Sequence, residues 1–418
     1  MMPSESGASI AYVWVWLPGA TEPVVAGVLQ ADGATTFFRY AESFLGRRDV
    51  VALYLPELPL RPGPIRPVAG LNIAGCIADS GPDAWGQRVI LRRLFGRGSL
   101  ISGPSEPDTL TYLLESGSDR IGALDFQASP TAYVPRSTSA TLEELMQAAE
   151  RLERGEPFSP GLDDALLRGS SIGGARPKAL LDDNGRKLIA KFSSSTDPYS
   201  VVKAEGVTME LARRVGINVA ATEVVKCLNR DVLLVERFDR SGVAGERQMI
   251  VSALTLLELD EMMGRYATYP GLADVIRERF TKPKETLREL FSRIVFNVLV
   301  GNTDDHARNH AAFWDGSTLT LTPAYDICPQ ARSGGEAVQA MAIDRDGFRC
   351  SQVVGARDAA STYLLSSNEA REIIDHQIHV IETQWSDAAD AVDLSPPERS
   401  RMWGRQILNP FSTEGYSS

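Results

Sequence analysis

The sequence is poor in cysteine, and this scarcity limits the kinds of site that it can build. Its 418 residues include four cysteines, Cys76, Cys227, Cys328 and Cys350, which lie far apart and form no CxxC pair. Such spacing argues against a disulfide framework and against a structural zinc site. We therefore expect a protein of the reducing cytoplasm.

Long apolar runs, a surplus of basic residues and a secretory signal are also missing. No apolar run reaches the roughly 20 residues that a membrane-spanning helix requires, and the first residues, MMPSESGASI, lack the basic start of a signal peptide. With 43 basic and 54 acidic side chains the net charge is -11, so the whole molecule should repel a phosphate backbone. We expect no membrane contact, and DNA binding only through a local basic patch or a basic partner.

The amino-terminal part of the chain predicts a mixed unit of strands and helices that ends near residue 160. Because 418 residues exceed what one hydrophobic core usually serves, about two or three packed units are expected. Short apolar runs separated by turn residues predict strands over YVWVWLP, VVAGVLQ, TTFFRY and VVALYL. End signals predict helices over PDAWGQRVILRRLFGRG and TLEELMQAAERLERG, and Thr141 and Glu144 have the spacing of a capping box.

After residue 160 the pattern changes to a glycine loop, a hairpin and then mostly helices. The loop RGSSIGGARPK runs into two strand-like segments joined by Asn184-Gly185, a strong signal for a tight hairpin. A helix, VVKAEGVTMELARRVG, and the strands AATEVVKC and RDVLLVERF follow. The segment KETLRELFSRIVFNVLV then has the three-and-four spacing of a buried helix. A second hairpin turns at Asp315-Gly316, helices resume near residue 367, and the last dozen residues resemble a loose tail.

The stretch GNTDDHARNH, residues 301–310, follows directly after the apolar helix and concentrates carboxylate, amide and imidazole groups. Asp304 and Asn309 are separated by the interval at which a kinase catalytic loop places a proton-accepting aspartate and a metal-binding asparagine. Asp326 comes one hairpin later, where a second carboxylate ligand is expected. Such ligands suit Mg²⁺, which completes its shell with water and ATP oxygens.

Upstream segments offer the other groups that phosphoryl transfer from ATP requires. Gly173 and Gly174 lie in the loop before the first strand of the hairpin, and Lys191 ends the second strand, from which it can reach phosphate oxygens. Glu205, in the next helix, is explained equally well as the partner of that lysine and as a surface residue. These features follow the order of a kinase, although the loop is neither G-x-G-x-x-G nor a Walker loop.

Three other interpretations stay open at this point. Asp304, Asp305 and Asn309 could act only as caps of the following segment. His306 and His310 have the HxxxH spacing of a zinc hydrolase, but the glutamate of H-E-x-x-H is missing, and the upstream loop and lysine would have no role. The chain could also be a catalytically silent binding module that works as a corepressor.

Four segments resemble the HipA-like serine/threonine kinases, which are toxins of bacterial toxin-antitoxin systems: SSIGGARPKALL, VERFDR, FNVLVGNTDDHARNH and LTPAYDI. The resemblance implies an α+β, protein-kinase-like two-lobed fold with an extra N-terminal β-rich subdomain and a mainly helical C-terminal lobe. The implied divisions are an N-terminal subdomain over 1–160, nucleotide-binding strands and a phosphate loop over 161–240, a helical catalytic lobe over 241–405 and a tail over 406–418.

The same resemblance implies an activity and partners. Such proteins bind ATP with Mg²⁺ and phosphorylate serine in a protein substrate. Known substrates include aminoacyl-tRNA synthetases, and growth stops as a result. A helix-turn-helix antitoxin typically binds the kinase and carries it to operator DNA, so contact with DNA is expected only through that partner.

Residue by residue, the resemblance implies a complete nucleotide site. Asp304 is similar to the catalytic aspartate. The implied metal ligands are Asn309 and Asp326, and the implied nucleotide-binding residues are Lys191, Lys178, Gly173, Gly174, Glu236 and Phe238, the last two on the strand that presents backbone groups to adenine.

Regulation is implied as well. Ser171 matches the autophosphorylated serine of the phosphate loop, and Ser170 beside it is a second candidate. Phosphate at that position would repel the phosphates of ATP, so the loop would act as an off-switch. The segment PAYDI departs from ordinary kinases because it lacks the glycine of their Asp-Phe-Gly motif, so their activation-loop switch need not operate.

Overall fold

The structure is a computed structural model that describes residues 8–95, 107–136, 140–154, 156, 176–194, 197, 199–240, 242, 245–332 and 334–417. Its strands are β1 (Ile10–Val15), β2 (Val24–Asp32), β3 (Thr35–Tyr40), β4 (Leu124–Gln127), β5 (Lys178–Asp183), β6 (Arg186–Phe192), β7 (Thr222–Cys227), β8 (Arg230–Glu236), β9 (Met249–Ser252), β10 (Ala311–Trp314) and β11 (Leu319–Leu321). Its α-helices are α1 (Glu42–Leu45), α2 (Gly75–Ala78), α3 (Ala84–Phe95), α4 (Thr109–Glu115), α5 (Leu142–Arg154), α6 (Val201–Arg214), α7 (Ala253–Leu256), α8 (Tyr269–Arg279), α9 (Pro283–Leu299), α10 (Val353–Asp358), α11 (Ser367–Ala391) and α12 (Pro396–Met402). Short 3₁₀ helices span Met263–Tyr266, Ala307–Asn309, Ala360–Tyr363 and Pro410–Thr413.

The chain folds as two compact units. The first comprises Met1–Ser195, Lys226–Val251 and Trp314–Ser317, and the second comprises Thr196–Val225, Ser252–Phe313 and Thr318–Ser418. Among the helices of the described ranges, none combines the length and the apolar character that crossing a membrane requires.

The first unit begins with an antiparallel sheet in the order β3-β2-β1-β4. The register pairs Val13 of β1 with Gly27 on one side and with Phe126 on the other. A Cβ atom at Gly27 would overlap the carbonyl of Arg39 and lie 2.7 Å from the ring of Phe38. Glycine therefore lets β2 bulge here without losing the packing of its neighbours.

The prediction of a strand over VVALYL, residues 50–55, is wrong. Ala52, Leu53 and Tyr54 are buried, but Leu55 is exposed and the backbone turns: the amide of Leu58 donates to the carbonyl of Tyr54 at 2.8 Å. The hydroxyl of Tyr40 also accepts a hydrogen bond from the amide of Leu53 at 3.1 Å. Long-range bonds to Tyr40 here replace the ladder of a strand, which the composition of the segment favours.

A second sheet has the order β5-β6-β8-β7. The hairpin predicted at Asn184-Gly185 is confirmed, because both residues have positive φ angles, 52° and 89°, as a type I′ turn requires. The register places Lys178 of β5 directly opposite Lys191 of β6. Directly opposed residues project from the same face of a sheet, so the two ammonium groups share one face.

The second unit is mainly helical. Helix α9 is its centre, and α9 packs against α8, α10 and α11, while α11 also packs on α6. The predicted apolar stripe of α9 is confirmed, since each of its members is buried: Leu287, Leu290, Phe291, Ile294, Val298 and Leu299. The same helix buries two polar residues, Arg293 and Asn297, and the second of these reaches the candidate site described below.

The carboxyl-terminal segment is more ordered than the loose tail that its composition predicts. The amide of Leu408 donates to the carbonyl of Leu299 at 2.8 Å, and Asn409 caps the 3₁₀ turn that follows through its bond from the amide of Phe411. Polar and small residues dominate this stretch, so little in its composition indicates that the backbone is fastened to the end of α9.

Candidate active site

The end of α9 is shaped by a glycine that no other residue can replace without strain. Gly301 has a φ of 69°, and a Cβ atom there would lie 2.7 Å from the carbonyl oxygen of Gln406. The carbonyl of Gly301 accepts a hydrogen bond from the amide of Gln330 at 2.9 Å. The chain therefore leaves the helix in a fixed direction and enters residues 302–310.

We expect Gly301→Ala to lower the free energy of unfolding by about 2–4 kcal/mol, because a left-handed backbone and a close contact with Gln406 both disfavour a Cβ atom. Gly404→Ala is the matched control, since Gly404 has a similar φ of 72° but no atom lies within 4 Å of the position that its Cβ would take. It should lose only about 1–2 kcal/mol. Denaturant unfolding of the two variants measures the difference, and equal losses would contradict the crowding at Gly301.

Asp305 is the buried anchor of the loop. It is 3% exposed, and its Oδ2 accepts hydrogen bonds from Asn297 Nδ2 at 2.8 Å, from His310 Nε2 at 2.9 Å and from the hydroxyl of Tyr269. Burial alone would raise the pKa of Asp305, but the charge and hydrogen bond of His310 and the bond from Tyr269 outweigh it and hold that pKa below its usual range. Asp305 thus fastens the loop to α8 and α9.

Asp304, the next residue, has the opposite environment. It is exposed, and within the described ranges no hydrogen bond holds its carboxylate. Desolvation of that carboxylate raises the pKa of Asp304, His306 acts in the opposite direction, and the charges of Asp326 and Asp305 raise the pKa further. Asp304 is therefore a carboxylate with a strengthened affinity for protons at an accessible position.

Asn309 closes the loop. Residues 307–309 form a single 3₁₀ turn, and the Nδ2 atom of Asn309 donates to the backbone carbonyl of Asp304 at 3.2 Å. The amide nitrogen is thereby committed to the loop, which leaves the amide oxygen as the atom able to serve as a ligand. The spacing of Asp304 and Asn309 thus corresponds to a direct contact.

Asp326 is held in an uncommon backbone conformation. Its φ is 60°, which is strained for a residue other than glycine. The neighbours on both sides are fixed: Ala324 exchanges backbone hydrogen bonds with residues 218 and 220, and the carbonyl of Ile327 accepts from Thr208 Oγ1. The hydroxyl of Tyr325 also donates to the carbonyl of Arg308 at 2.7 Å, which ties this segment to the loop. The contacts on either side hold the strained residue in place.

The donor set of carboxylate and amide oxygens fits Mg²⁺. Desolvation is the main cause of the raised pKa of Asp304, and the charge of Asp326 adds to it, so a divalent cation held by Asp326 and Asn309 would relieve that added repulsion. Within the part of the chain that the structure describes, no group of three or more His, Cys, Asp or Glu side chains is arranged to hold a metal ion. Mg²⁺ needs fewer protein ligands than that, because it keeps several waters.

The two histidines do not form the pair that their HxxxH spacing suggests. His306 is exposed and extended, whereas His310 is 2% exposed and is bonded to Asp305 beside the ring of Tyr269. Because residues 307–309 form a 3₁₀ turn rather than an α-helix, the imidazoles do not share one helical face. The hydrolase interpretation loses its two ligands. Among the described residues, no side chain caps the 3₁₀ turn at residues 307–309, and Asp305 is structural through its bonds to other side chains instead.

The nucleotide-site candidates in the first unit lie in and beside β5, β6 and β8. Lys178 is 3% exposed, and its Nζ is 3.2 Å from Asp83 Oδ2, so its charge is balanced inside the unit. Lys191 is half-buried opposite Lys178. Glu236 is exposed, with Arg186 3.7 Å from its carboxylate, and Phe238 is half-buried. The predicted loop residues Ser170, Ser171, Gly173 and Gly174 lie outside the described residues.

The sequence left the role of Glu205 open, and it did not identify several residues that hold the candidate side chains. Glu205, in the second unit, is 4% exposed, so its interpretation as a surface residue is wrong. Tyr269 and Asn297 hold Asp305, and Asp83 holds Lys178. Only Asn297 carried a local signal, because it is a polar residue within an otherwise apolar helix stripe.

Comparison with known proteins adds family relationships. Residues 15–127 match the family model of the HipA N-terminal domain. The serine/threonine-protein kinase toxin HipA of Shewanella oneidensis is 26% identical over 274 residues, which cover 58% of this chain and 61% of that protein. The putative kinase Y4mE of Sinorhizobium fredii is 25% identical over 181 residues, or 38% of this chain and 41% of that protein. The chain thus spans about three fifths of the length of the HipA toxin and about two fifths of the length of Y4mE.

A solved structure shares the fold. The complex of the Shewanella oneidensis MR-1 toxin-antitoxin proteins HipA and HipB with operator DNA contains a chain that aligns with a TM-score of 0.64 and 22% identity, covering 93% of this chain and 97% of that one. This likeness confirms the predicted fold class. The HipA-like C-terminal domain matches residues 170–385, which is more than half of the sequence, and the chain therefore belongs to the HipA family.

Proposed function

We propose that the chain is an ATP- and Mg²⁺-dependent protein serine/threonine kinase. The observation that carries the proposal is the pair of adjacent carboxylates with opposite environments: Asp305 is buried and fastened, while Asp304 is exposed and has a raised pKa beside Asp326. A general base must be fixed in place, reachable by the substrate and basic enough to take a proton. Asp304 meets these three requirements: the buried bonds of Asp305 fix the loop, the Asp304 side chain is exposed, and its pKa is raised.

The other residues take the following roles in the proposal. Asp304 accepts the proton of a serine hydroxyl as the serine oxygen attacks the γ-phosphorus of ATP and ADP leaves, and Asp326 with the amide oxygen of Asn309 would hold Mg²⁺. Lys191 contacts phosphate oxygens, and the backbone near Glu236 and Phe238 receives adenine. When bound, ATP supplies the phosphoryl group and Mg²⁺ neutralises its charge. Exposure of Asp304 suits a substrate as large as a protein.

We infer further that the kinase is a growth-arresting toxin of the cytoplasm that phosphorylates a translation-related protein, such as an aminoacyl-tRNA synthetase. A helix-turn-helix antitoxin is its proposed partner, and DNA is reached only through that partner. Support comes from the names of the relatives, one a kinase toxin and one bound to HipB and operator DNA, and from the net charge of -11, which disfavours direct DNA binding.

We expect the phosphatase-treated protein to gain phosphate on Ser171 or Ser170 when it is incubated with Mg-ATP, and to gain none when EDTA is present. Intact mass measurement followed by peptide mapping checks this result and identifies the serine. If Ser171 is the site, Ser171→Ala will continue to phosphorylate a protein substrate after preincubation with ATP, whereas the unaltered protein loses activity. Ser170→Ala is the matched control.

Two results would contradict the proposal. A protein that gains no phosphate and does not bind Mg-ATP is not a kinase. Zinc that copurifies with a protein indifferent to ATP would favour the hydrolase instead.

A further inference from the structure

A buried arginine follows directly after the strand that is proposed to receive adenine. Arg237 follows β8, is 4% exposed, and its backbone amide continues the sheet by donating to the carbonyl of Lys187 at 2.9 Å. Its guanidinium donates to Asp119 Oδ1 at 2.9 Å and to the carbonyl of Arg120 at 2.6 Å. These acceptors lie 118 and 117 residues earlier in the chain, within the matched HipA N-terminal domain.

Two further residues complete the connection. Asp239 is 2% exposed, accepts both forks of the Arg237 guanidinium at 2.9 and 2.7 Å, and accepts the backbone amide of Gly122 at 2.8 Å. Arg240 donates to Asp119 Oδ1 at 2.6 Å and to the carbonyl of Gly122 at 3.1 Å. Residues 237–240 and 119–122 are thus joined by an interlocked set of charged hydrogen bonds, all within the first unit.

Electrostatics agree with this geometry. Desolvation would raise the pKa of Asp119, but the charges of Arg237, Arg240 and Arg247 hold it well below its usual range. The pKa of Asp239 is also lowered, since Arg237 and Arg240 outweigh its burial. Each carboxylate therefore stays ionised because it binds two guanidinium groups.

The alternation of side chains places this set directly behind the proposed adenine strand. β8 ends at Glu236 and residues 238–239 form a turn, and exposure alternates through this segment: Glu236 is exposed, Arg237 buried, Phe238 half-buried and Asp239 buried. The two residues assigned to adenine are therefore interleaved with the two that bind residues 119–122. Movement of that loop would move the backbone of 236–238.

We propose that Asp119, Arg237 and Asp239 are positioning residues that fix the adenine-binding strand on the N-terminal domain, so that ATP affinity depends on residues 119–122. The inference rests on the proposed function, because it assumes that residues 236–238 contact ATP. The N-terminal domain then takes part in nucleotide binding without contributing an atom to the site.

Asp119→Asn tests the inference. The side chain of Asp119 is 33% exposed, so a neutral isostere is tolerated there better than at Arg237, which is fully buried in its side chain. We expect the Kd for Mg-ATP and the KM for ATP to rise roughly tenfold, while kcat at saturating ATP stays within about twofold. Asp119→Glu keeps the charge and should recover most of the affinity.

Arg136→Gln is the matched control. Arg136 binds the buried carboxylate of Asp125 at 2.9 Å in the same unit but makes no bond to residues 236–240 in the described structure. It should lower the midpoint of thermal unfolding about as much as Asp119→Asn and leave the Kd for Mg-ATP unchanged. An Asp119→Asn protein with unaltered Kd, or an Arg136→Gln protein with an equal rise in Kd, overturns the inference. Failure of the unaltered protein to bind Mg-ATP overturns the proposed function as well.

Discussion

Asp304→Asn is expected to remain folded and to transfer phosphate roughly a thousandfold more slowly than the unaltered protein. Within the described residues no hydrogen bond holds the Asp304 carboxylate, so its replacement by an amide removes no support from the fold. The substitution also removes a charge that desolvation disfavours, together with Asp326 and Asp305 and against the opposing effect of His306. Stability should therefore be unchanged or slightly higher while proton acceptance is lost.

The measurement combines phosphate incorporation into the protein itself with thermal unfolding of the same sample. Asp346→Asn serves as control, because Asp346 is exposed in the second unit and lies far along the chain from residues 301–326. The control should match the unaltered protein in both assays. An Asp304→Asn enzyme with full activity would remove Asp304 from its role as base, and a large loss of stability would show that the residue is structural.

Local patterns predicted those parts of the fold that local interactions determine. The Asn184-Gly185 hairpin follows from the backbone angles that these two residues adopt readily, and the capping box is present because Thr141 and Glu144 exchange their bonds within one turn. Residues 50–55 are a case in which the local pattern predicts the wrong structure. Their strand-like sequence is overridden by Tyr40, whose hydroxyl binds the backbone of Leu53.

The residue types of the candidate site could be predicted from the sequence, but which of them are buried and structural could not. Asp304 and Asp305 are chemically identical neighbours, and their partners decide which of them is buried: His310, Asn297 and Tyr269, the last of these 36 residues upstream. The sequence contains no signal for the left-handed backbone of Asp326, because hydrogen bonds of the residues on either side impose that conformation. The bonds from Arg237 to the N-terminal domain join residues 118 positions apart, a separation beyond the reach of any periodicity.

Asp305→Asn should be the most destabilising single change at the candidate site, with a loss of roughly 3–5 kcal/mol in the free energy of unfolding. One carboxylate oxygen accepts from Asn297, His310 and Tyr269, which together join α8, α9 and the loop. An amide has no charge, so its oxygen accepts these three hydrogen bonds more weakly than the carboxylate does. Phosphate transfer should fall as well, because Asp304 is supported by its neighbour, and denaturant unfolding beside the transfer assay measures both losses.

The acid range supplies a sharper test of the same residue. The folded pKa of Asp305 lies below the unfolded value of about 3.9, so its stabilisation is present at neutral pH and declines as the pH falls below about 4. The stability difference between the unaltered protein and Asp305→Asn should shrink over that interval, and a constant difference would contradict the lowered pKa.

Tyr269→Phe should lower the free energy of unfolding by about 1–2 kcal/mol and should also reduce activity. Tyr363→Phe removes an equally buried hydroxyl that donates to the carbonyl of Ile343, and it should lose similar stability without affecting transfer.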